Sequence, residues 1–140
     1  MAIDYGERRL GLALCDEACI LATPYRTIDT RQETDPVAAI TETVGDENIG
    51  LILIGYPLHL DGRVSEKAVA VDAFIRKLSD ALPGMKIDRA DEAYTSVQAA
   101  GFLAQRKKNR RKRPDKAAID RLAAAILLQE YLDENPGLSL

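Results

Sequence analysis

Three acidic positions stand out because of the segments in which they occur. Asp4 lies inside an extended apolar segment, Asp91 and Glu92 follow a short strand-like segment, and Asp120 lies in an alanine-rich helical segment. A carboxylate within a strand is costly to desolvate without a partner, so Asp4 is expected to face a basic group from elsewhere in the fold or a metal. Converging carboxylates form a hard-oxygen site for Mg²⁺ or Mn²⁺. Two such ions can activate a water and stabilise the leaving oxygen in phosphodiester hydrolysis.

Each acid also has a purely structural interpretation. The residues three before, three after and four after Asp120 are all alanines, which indicates a close-packed surface or a cleft, but a solvated helix position is the alternative. Asp91 and Glu92 are compatible with a turn and a helix cap, and spacing alone does not choose between them. His59, the only histidine, lies in a loop where it could approach substrate, but a structural or solvated role is the simpler interpretation.

A basic run immediately precedes the helical segment of Asp120. Residues 106–113 hold seven of the 19 basic residues, which leaves 12 against 22 acidic ones in the rest of the chain. Such a concentration predicts a phosphate-binding loop with a steep salt dependence, although a merely solvated loop is the alternative. Without interleaved aromatic residues, base stacking is not indicated. The basic residues are Arg106, Lys107, Lys108, Arg110, Arg111, Lys112 and Arg113.

Hydrophobic periodicity and turn residues give the elements that must position these side chains. Three extended segments come first, and one face of the second is small at Gly11 and Ala13, which leaves room for close packing. Later strands alternate with helices, so the order β-β-β-α-β-α-β-α-α predicts an α/β fold with a mixed five-stranded sheet and helices on both faces. The first expected strand contains Asp4 and ends at a turn formed by Tyr5-Gly6-Glu7-Arg8. The other expected strands are 9–15, 20–28, 51–55 and 85–90, and the expected helices are 36–48, 65–82, 95–105 and 115–134.

The composition is that of a soluble globular protein, with 140 residues, 46% hydrophobic and 29% charged. Length predicts one domain over residues 1–140. No apolar run is long enough to cross a bilayer, and no signal peptide is evident. Cys15 and Cys19 lack the further ligands that zinc requires, so two reduced thiols in a cytosolic protein are expected.

An ordered set of short motifs carries a family resemblance across almost the whole chain. They are Ile3-Asp4-Tyr5-Gly6, Arg9-Leu10-Gly11-Leu12-Ala13, Ile54-Gly55-Tyr56-Pro57-Leu58 with Asp61-Gly62, Asp91-Glu92 with Thr95-Ser96, and Ile119-Asp120 with Ala123-Ala124-Ala125-Ile126-Leu127-Leu128-Gln129. In this set the sequence resembles the YqgF family of ribonuclease-H-like nucleases, which are associated with pre-16S ribosomal RNA and with Holliday-junction resolvases.

The resemblance implies a ribonuclease-H-like fold and a nuclease dependent on Mg²⁺ or Mn²⁺. It implies catalytic, metal-holding acids at Asp4, Glu92 and Asp120, and thereby favours Glu92 over Asp91. It also implies a role in maturing the 5′ end of small-subunit ribosomal RNA in the cytoplasm. One position departs from the family pattern, because Ala93 stands where an arginine usually follows Asp-Glu. Either the basic run substitutes for that arginine or activity is weaker.

Three alternatives remain open at this point. A resolvase acting on four-way DNA junctions would make two symmetric cuts and would favour a homodimer over a monomer. A non-catalytic RNA-binding factor in ribosome assembly would keep the basic run and use the acids only structurally. The spacing Asp4-x-Gly6 also resembles the phosphate-binding hairpin of sugar kinases and actin-like ATPases, but those proteins are much longer and carry a second such hairpin.

Overall fold

The structure, a computed structural model, describes residues 1–57, 65–91, 95–106 and 115–138. The predicted order of elements is confirmed within these residues. The strands are β1 (Ala2–Tyr5), β2 (Arg9–Cys15), β3 (Ala22–Asp29), β4 (Leu51–Tyr56) and β5 (Lys86–Asp91). The helices are α1 (Pro36–Asp46), α2 (Glu66–Ala81), α3 (Thr95–Arg106) and α4 (Lys116–Glu134). None of these helices has the length and apolar character needed to cross a bilayer.

The strands form a mixed five-stranded sheet in the order β3-β2-β1-β4-β5. The pairs β1–β2 and β2–β3 are antiparallel, whereas β1–β4 and β4–β5 are parallel. The predicted fold class is therefore confirmed. Its central strand, β1, carries Asp4, and the first three strands form an antiparallel meander.

The third strand begins at Ala22 rather than at Ile20, where the sequence had placed it. The reason is a side chain, because the carboxylate of Asp16 accepts hydrogen bonds from the backbone of Ile20 (2.7 Å) and Leu21 (3.1 Å) and holds both residues in a turn. Pro24 lies on the edge strand beside a register shift, as its missing N–H requires.

Polar side chains fix the starts of three helices. Asp35 and Ser65 accept hydrogen bonds from the backbone N–H of Ala38 and Ala68, each at 3.0 Å. Asp115 does the same for Ala117 at 3.1 Å, which sets the first turn of α4. Capping of this kind satisfies donors that the helix itself leaves unpaired, so the start of α4 is defined locally.

The two faces of the sheet are packed by different helices. One face, here called the α1/α2 face, presents Ile3, Leu10, Leu12, Ile52 and Ile54 to a core that includes Ile40 of α1 and Val71, Phe74, Ile75 and Leu78 of α2. The other, here called the α4 face, presents Ala2, Ala13 and Leu53 to Ala124, Ala125, Leu127, Leu128 and Leu132 of α4. Side chains alternate between the two faces along each strand, so every second residue of a strand lies on the α4 face.

Candidate active site

Asp4 is a buried carboxylate on the α4 face. It follows Ala2 by two residues, and Ala2 packs against α4. Asp4 is only 9% exposed to solvent. Across the antiparallel ladder its partner is Gly11 of β2, and side chains in such a pair lie about 5 Å apart. A group that packs on Gly11 is therefore close to Asp4.

The backbone of α4 lies directly on Gly11. A Cβ atom at that position would be 2.0 Å from the carbonyl oxygen of Asp120 and 2.8 Å from the nitrogen of Arg121. Real Cβ atoms do not approach backbone so closely, so only glycine permits this contact. The small face that the sequence indicated on β2 is thus the surface on which α4 packs, and the backbone of Asp120 lies on Gly11, the ladder partner of Asp4.

Arg9 makes an ion pair with Asp120. Its Nε donates to Oδ2 of Asp120 at 2.8 Å, and the two side chains are 24% and 21% exposed. Arg9 lies two residues before Gly11 and so shares the α4 face. Sequence reasoning missed this pair because 111 residues separate its members. The available signal was that Arg9 is the one charged residue on the otherwise small face of β2.

A third contact fixes the first turns of α4 on the neighbouring strand. The hydroxyl of Thr27 on β3 donates to the carbonyl oxygen of Ala117 at 2.7 Å. In turn, Nη1 of Arg121 donates to the same hydroxyl oxygen at 3.1 Å. Together with Gly11 and Arg9, this contact fixes both the position and the rotation of the helix around Asp120.

Asp91, at the end of the edge strand, borders a cavity that is also lined by Leu127 and Glu130 of α4. It is exposed, ends β5 and pairs with Tyr56 of β4. The Tyr56 hydroxyl donates to Asp72 of α2 at 3.1 Å, so the side chain of Tyr56 extends on the α1/α2 face of the sheet. By contrast, Asp88 accepts a hydrogen bond from Tyr131 of α4 at 2.9 Å. Burial and the adjacent Asp88 raise the pKa of Tyr131.

Several predicted site residues lie outside the described part of the structure. These are Glu92, Ala93 and His59, together with the basic run from 107 to 113; Arg106 is the last residue of α3, but its side chain is not described. The structure therefore places two of the three predicted acids, Asp4 and Asp120, next to the same residue, Gly11. It adds Arg9 as a side chain that contacts one of them.

The described residues alone do not complete a metal site. No group of three or more histidine, cysteine or acidic side chains suited to a metal ion occurs among them. Asp4 and Asp120 do offer the carboxylate oxygens that Mg²⁺ and Mn²⁺ prefer, and they come from two rigid elements. This pair fits a divalent ion provided that a further ligand comes from the rest of the chain or from substrate.

A mixed five-stranded sheet in the order β3-β2-β1-β4-β5, packed by helices, defines a ribonuclease-H-like fold. Two solved structures share the fold. One is described as T. thermophilus RuvC in complex with Holliday junction substrate, with a TM-score of 0.53, 16% identity and coverage of 96% of this chain and 93% of that one. The other, Thermus thermophilus RuvC, has a TM-score of 0.51 at 15% identity, covering 96% of this chain and 94% of that one.

The chain belongs to the RuvX family, whose model, described as "Holliday junction resolvase", matches residues 1–134. A relative from Bacteroides fragilis, named "Putative pre-16S rRNA nuclease", is 35% identical over 133 residues, covering 95% of this chain and 94% of the relative. One of the same name from Syntrophus aciditrophicus is 38% identical, covering 95% and 87%. The predicted family and the predicted nuclease class are therefore confirmed.

Proposed function

We propose that this chain is a metal-dependent nuclease that hydrolyses phosphodiester bonds during 5′-end maturation of pre-16S ribosomal RNA in the cytoplasm. Residues 1–140 act as a single nuclease domain. The observation that carries the proposal is the buried Asp4 beside Gly11, on which the backbone of Asp120 rests. The name shared by the Bacteroides fragilis and Syntrophus aciditrophicus relatives supports the choice of RNA substrate.

Asp4, Glu92 and Asp120 would hold Mg²⁺ or Mn²⁺. When bound, such ions activate the attacking water and stabilise the leaving oxygen. Glu92 is preferred to Asp91 as the third acid because the resemblance of the Asp91-Glu92 motif to the family implies that choice.

Arg9 orients the carboxylate of Asp120. Its guanidinium engages Oδ2, so rotation of the carboxylate is restricted and Oδ1 has a defined direction. The positive charge also offsets part of the repulsion between two neighbouring carboxylates. Because Arg9 lies on a strand and its contact is partly buried, the acid is held in place before any ion binds, which is the arrangement that precise metal sites need.

The basic run supplies the charge that holds the nucleic-acid backbone. Only Pro114 separates it in sequence from the cap residue Asp115, and α4 begins at Lys116, so the run is joined by the chain to the N-terminal end of the helix that carries Asp120. Each phosphate contact that is lost should lower the salt dependence of binding by about one unit of slope. Replacing Arg110, Arg111 and Lys112 by serine should therefore weaken RNA binding uniformly across sequences.

A cleavage assay tests the proposal. Wild type, Asp4→Asn and Asp80→Asn are compared with Mg²⁺ or Mn²⁺ on a 5′-extended ribosomal RNA precursor and on a four-way DNA junction. Asp80 is an exposed residue of α2 and serves as the matched control. Metal-dependent RNA cleavage that is lost in Asp4→Asn and kept in Asp80→Asn is the expected result.

A second candidate function is resolution of four-way DNA junctions, which the description of the family model favours. Preferential cutting of the junction in the same assay would establish it in place of the RNA activity. If neither substrate is cut while RNA still binds with a steep salt slope, the enzymatic proposal fails and a non-catalytic RNA-binding role in ribosome assembly replaces it.

A further inference from the structure

Two thiols face each other at the turn between β2 and β3. Cys15 ends β2 and Cys19 lies in the turn; both are half-buried, both are free, and their Sγ atoms are 3.8 Å apart. They are the only cysteines in the chain. Arg9 begins the strand that Cys15 ends, so the thiols lie roughly 20 Å from the candidate active site, given the rise of a strand.

The turn that carries Cys19 is held in one shape by Asp16. The Asp16 carboxylate accepts from the backbone of Ile20 and Leu21, and the Asp16 carbonyl accepts from the N–H of Cys19 at 3.0 Å. Cys19 itself has φ of 55°, in the left-handed region that a side chain rarely adopts. This backbone places Cys19 against the end of β2, where Cys15 lies.

Helix α4 fixes the far side of the same turn. The side-chain amide of Gln129 accepts from the N–H of Ala22 at 2.9 Å and donates to the carbonyl of Ile20 at 2.9 Å. The segment between the two thiols and the start of β3 is therefore bound on both sides. A fixed pair of this kind has a high effective concentration of one thiol at the other.

We propose that Cys15 and Cys19 form an oxidation site that closes to an intramolecular disulfide. The bond requires the Sγ atoms to move from 3.8 Å to about 2.05 Å, a movement of the scale that side-chain rotation provides. The closed ring is short and lies within one turn of chain. The site is separate from the nuclease site, so this proposal does not rest on the proposed function.

The oxidant that fits is a small neutral peroxide. A cavity of about 260 Å³ borders both thiols and is also lined by Asp16, Glu17 and Glu47. Three carboxylates disfavour an anionic oxidant such as glutathione disulfide and leave hydrogen peroxide unaffected. One thiol loses its proton and attacks the peroxide, giving a sulfenic acid and one water. The second thiol then displaces the sulfenic oxygen, which leaves as a second water, so two thiols are oxidised and one peroxide is reduced.

Intact mass and thiol titration of the full chain test this site. After hydrogen peroxide treatment, the wild type should lose both titratable thiols and two hydrogen atoms, remain a single chain, and regain both thiols with dithiothreitol. The single variants Cys15→Ser and Cys19→Ser should instead gain oxygen or link two chains. Equal concentrations of glutathione disulfide should react more slowly than peroxide.

An Asp16→Ala variant supplies a second measurement. It removes the acceptor for two backbone N–H groups of the turn, so closure should slow by about tenfold, whereas Asp46→Ala on the exposed end of α1 should leave the rate unchanged. The proposal is overturned if wild-type thiols survive peroxide, if they gain oxygen without losing hydrogen, or if Asp16→Ala closes as fast as wild type. Faster reaction with glutathione disulfide would overturn the assignment of the oxidant.

Discussion

The two faces of the sheet differ in the size of the residues that pack against the helices. The α1/α2 face buries large aliphatic side chains, such as Ile3, Leu12 and Ile52, against α1 and α2. The α4 face also buries leucines, but around Gly11 it is built from small residues, among them Ala13, Ala123 and Ala124, and at Gly11 the helix backbone touches the strand. Large side chains supply buried apolar area, which is the main source of stability. Small ones supply close approach, which fixes where Asp120 lies relative to Asp4.

This difference implies that the two faces respond differently to a change in volume. On the α1/α2 face, flexible side chains can adjust to a lost methyl group at modest cost. On the α4 face the neighbour of Gly11 is backbone, which cannot rotate away. The first face should tolerate substitution with stability lost and activity kept, whereas the second should lose both.

The largest effect is expected for Gly11→Ala. The new methyl group would overlap the carbonyl of Asp120, so α4 must move away from β2. We expect a loss of about 3 kcal/mol or more in the free energy of unfolding, together with loss of cleavage activity in the protein that remains folded. Denaturant unfolding and the cleavage assay measure the two effects.

Gly45→Ala is the matched control for that change. Gly45 lies inside α1, and apart from the adjacent backbone of that helix no atom lies within 4 Å of the position that its Cβ would occupy. Alanine there should stabilise the protein by about 0.5–1 kcal/mol, because it favours the helix and restricts the unfolded chain. Equal destabilisation by the two variants would contradict the conclusion that the backbone of α4 packs directly on Gly11.

The next effect concerns Arg9. Arg9→Gln removes the charged donor to Asp120, and a hydrogen bond to a charged group contributes about 1.5–3 kcal/mol. We expect kcat to fall by about tenfold or more, with a higher Mn²⁺ concentration needed for half-maximal activity. Arg9→Lys keeps the charge but not the planar geometry, so it should recover only part of the loss. A kcat unchanged in both variants would remove Arg9 from the site.

A smaller effect is expected on the other face. Ile54 of β4 is fully buried among aliphatic side chains of the α1/α2 face. Ile54→Val should cost about 1 kcal/mol of stability and leave kcat at the wild-type value. A fall in kcat without a matching fall in stability would show that both faces position the acids.

The smallest effect is a pH dependence at the α4–β5 contact. Burial and Asp88 raise the pKa of Tyr131 above its ordinary value of 10.0. A raised folded-state pKa contributes stability that is fully present below the unfolded pKa and is lost as pH rises through the folded one. Tyr131→Phe should therefore flatten the loss of stability above pH 10, measured by thermal unfolding, and steeper alkaline loss in the variant would contradict this sign.

The architecture was predictable because periodicity and caps are local properties of a sequence. Hydrophobic periodicity predicted the strands, and the helix starts predicted near residues 36, 65 and 115 agree with the observed caps at Asp35, Ser65 and Asp115. The start of β3 was predicted wrongly, since hydrophobic pattern alone does not reveal that Asp16 holds Ile20 and Leu21 in the turn. Whether a side chain such as that of Asp16 takes backbone N–H groups away from a strand depends on the local geometry of the turn, which the hydrophobic pattern does not contain.

The candidate site was only partly predictable because it is made of long-range contacts. Burial of Asp4 followed from its place within a strand, and the alanines around Asp120 indicated a close-packed helix. The Arg9–Asp120 ion pair and the contact of α4 with Gly11 join residues more than 100 positions apart, and no local pattern specifies such a pairing. The choice of Glu92 over Asp91 stays a prediction.

Mn²⁺ binding tests the central claim, that Asp4 and Asp120 form one metal site on the α4 face. Free Mn²⁺ is followed by electron paramagnetic resonance during titration of wild type, Asp4→Asn, Asp120→Asn and the control Asp80→Asn. Wild type and Asp80→Asn should bind with equal affinity, while each of the other two should bind about tenfold or more weakly, a difference of about 1.4 kcal/mol. Equal affinity in all four proteins would contradict the account.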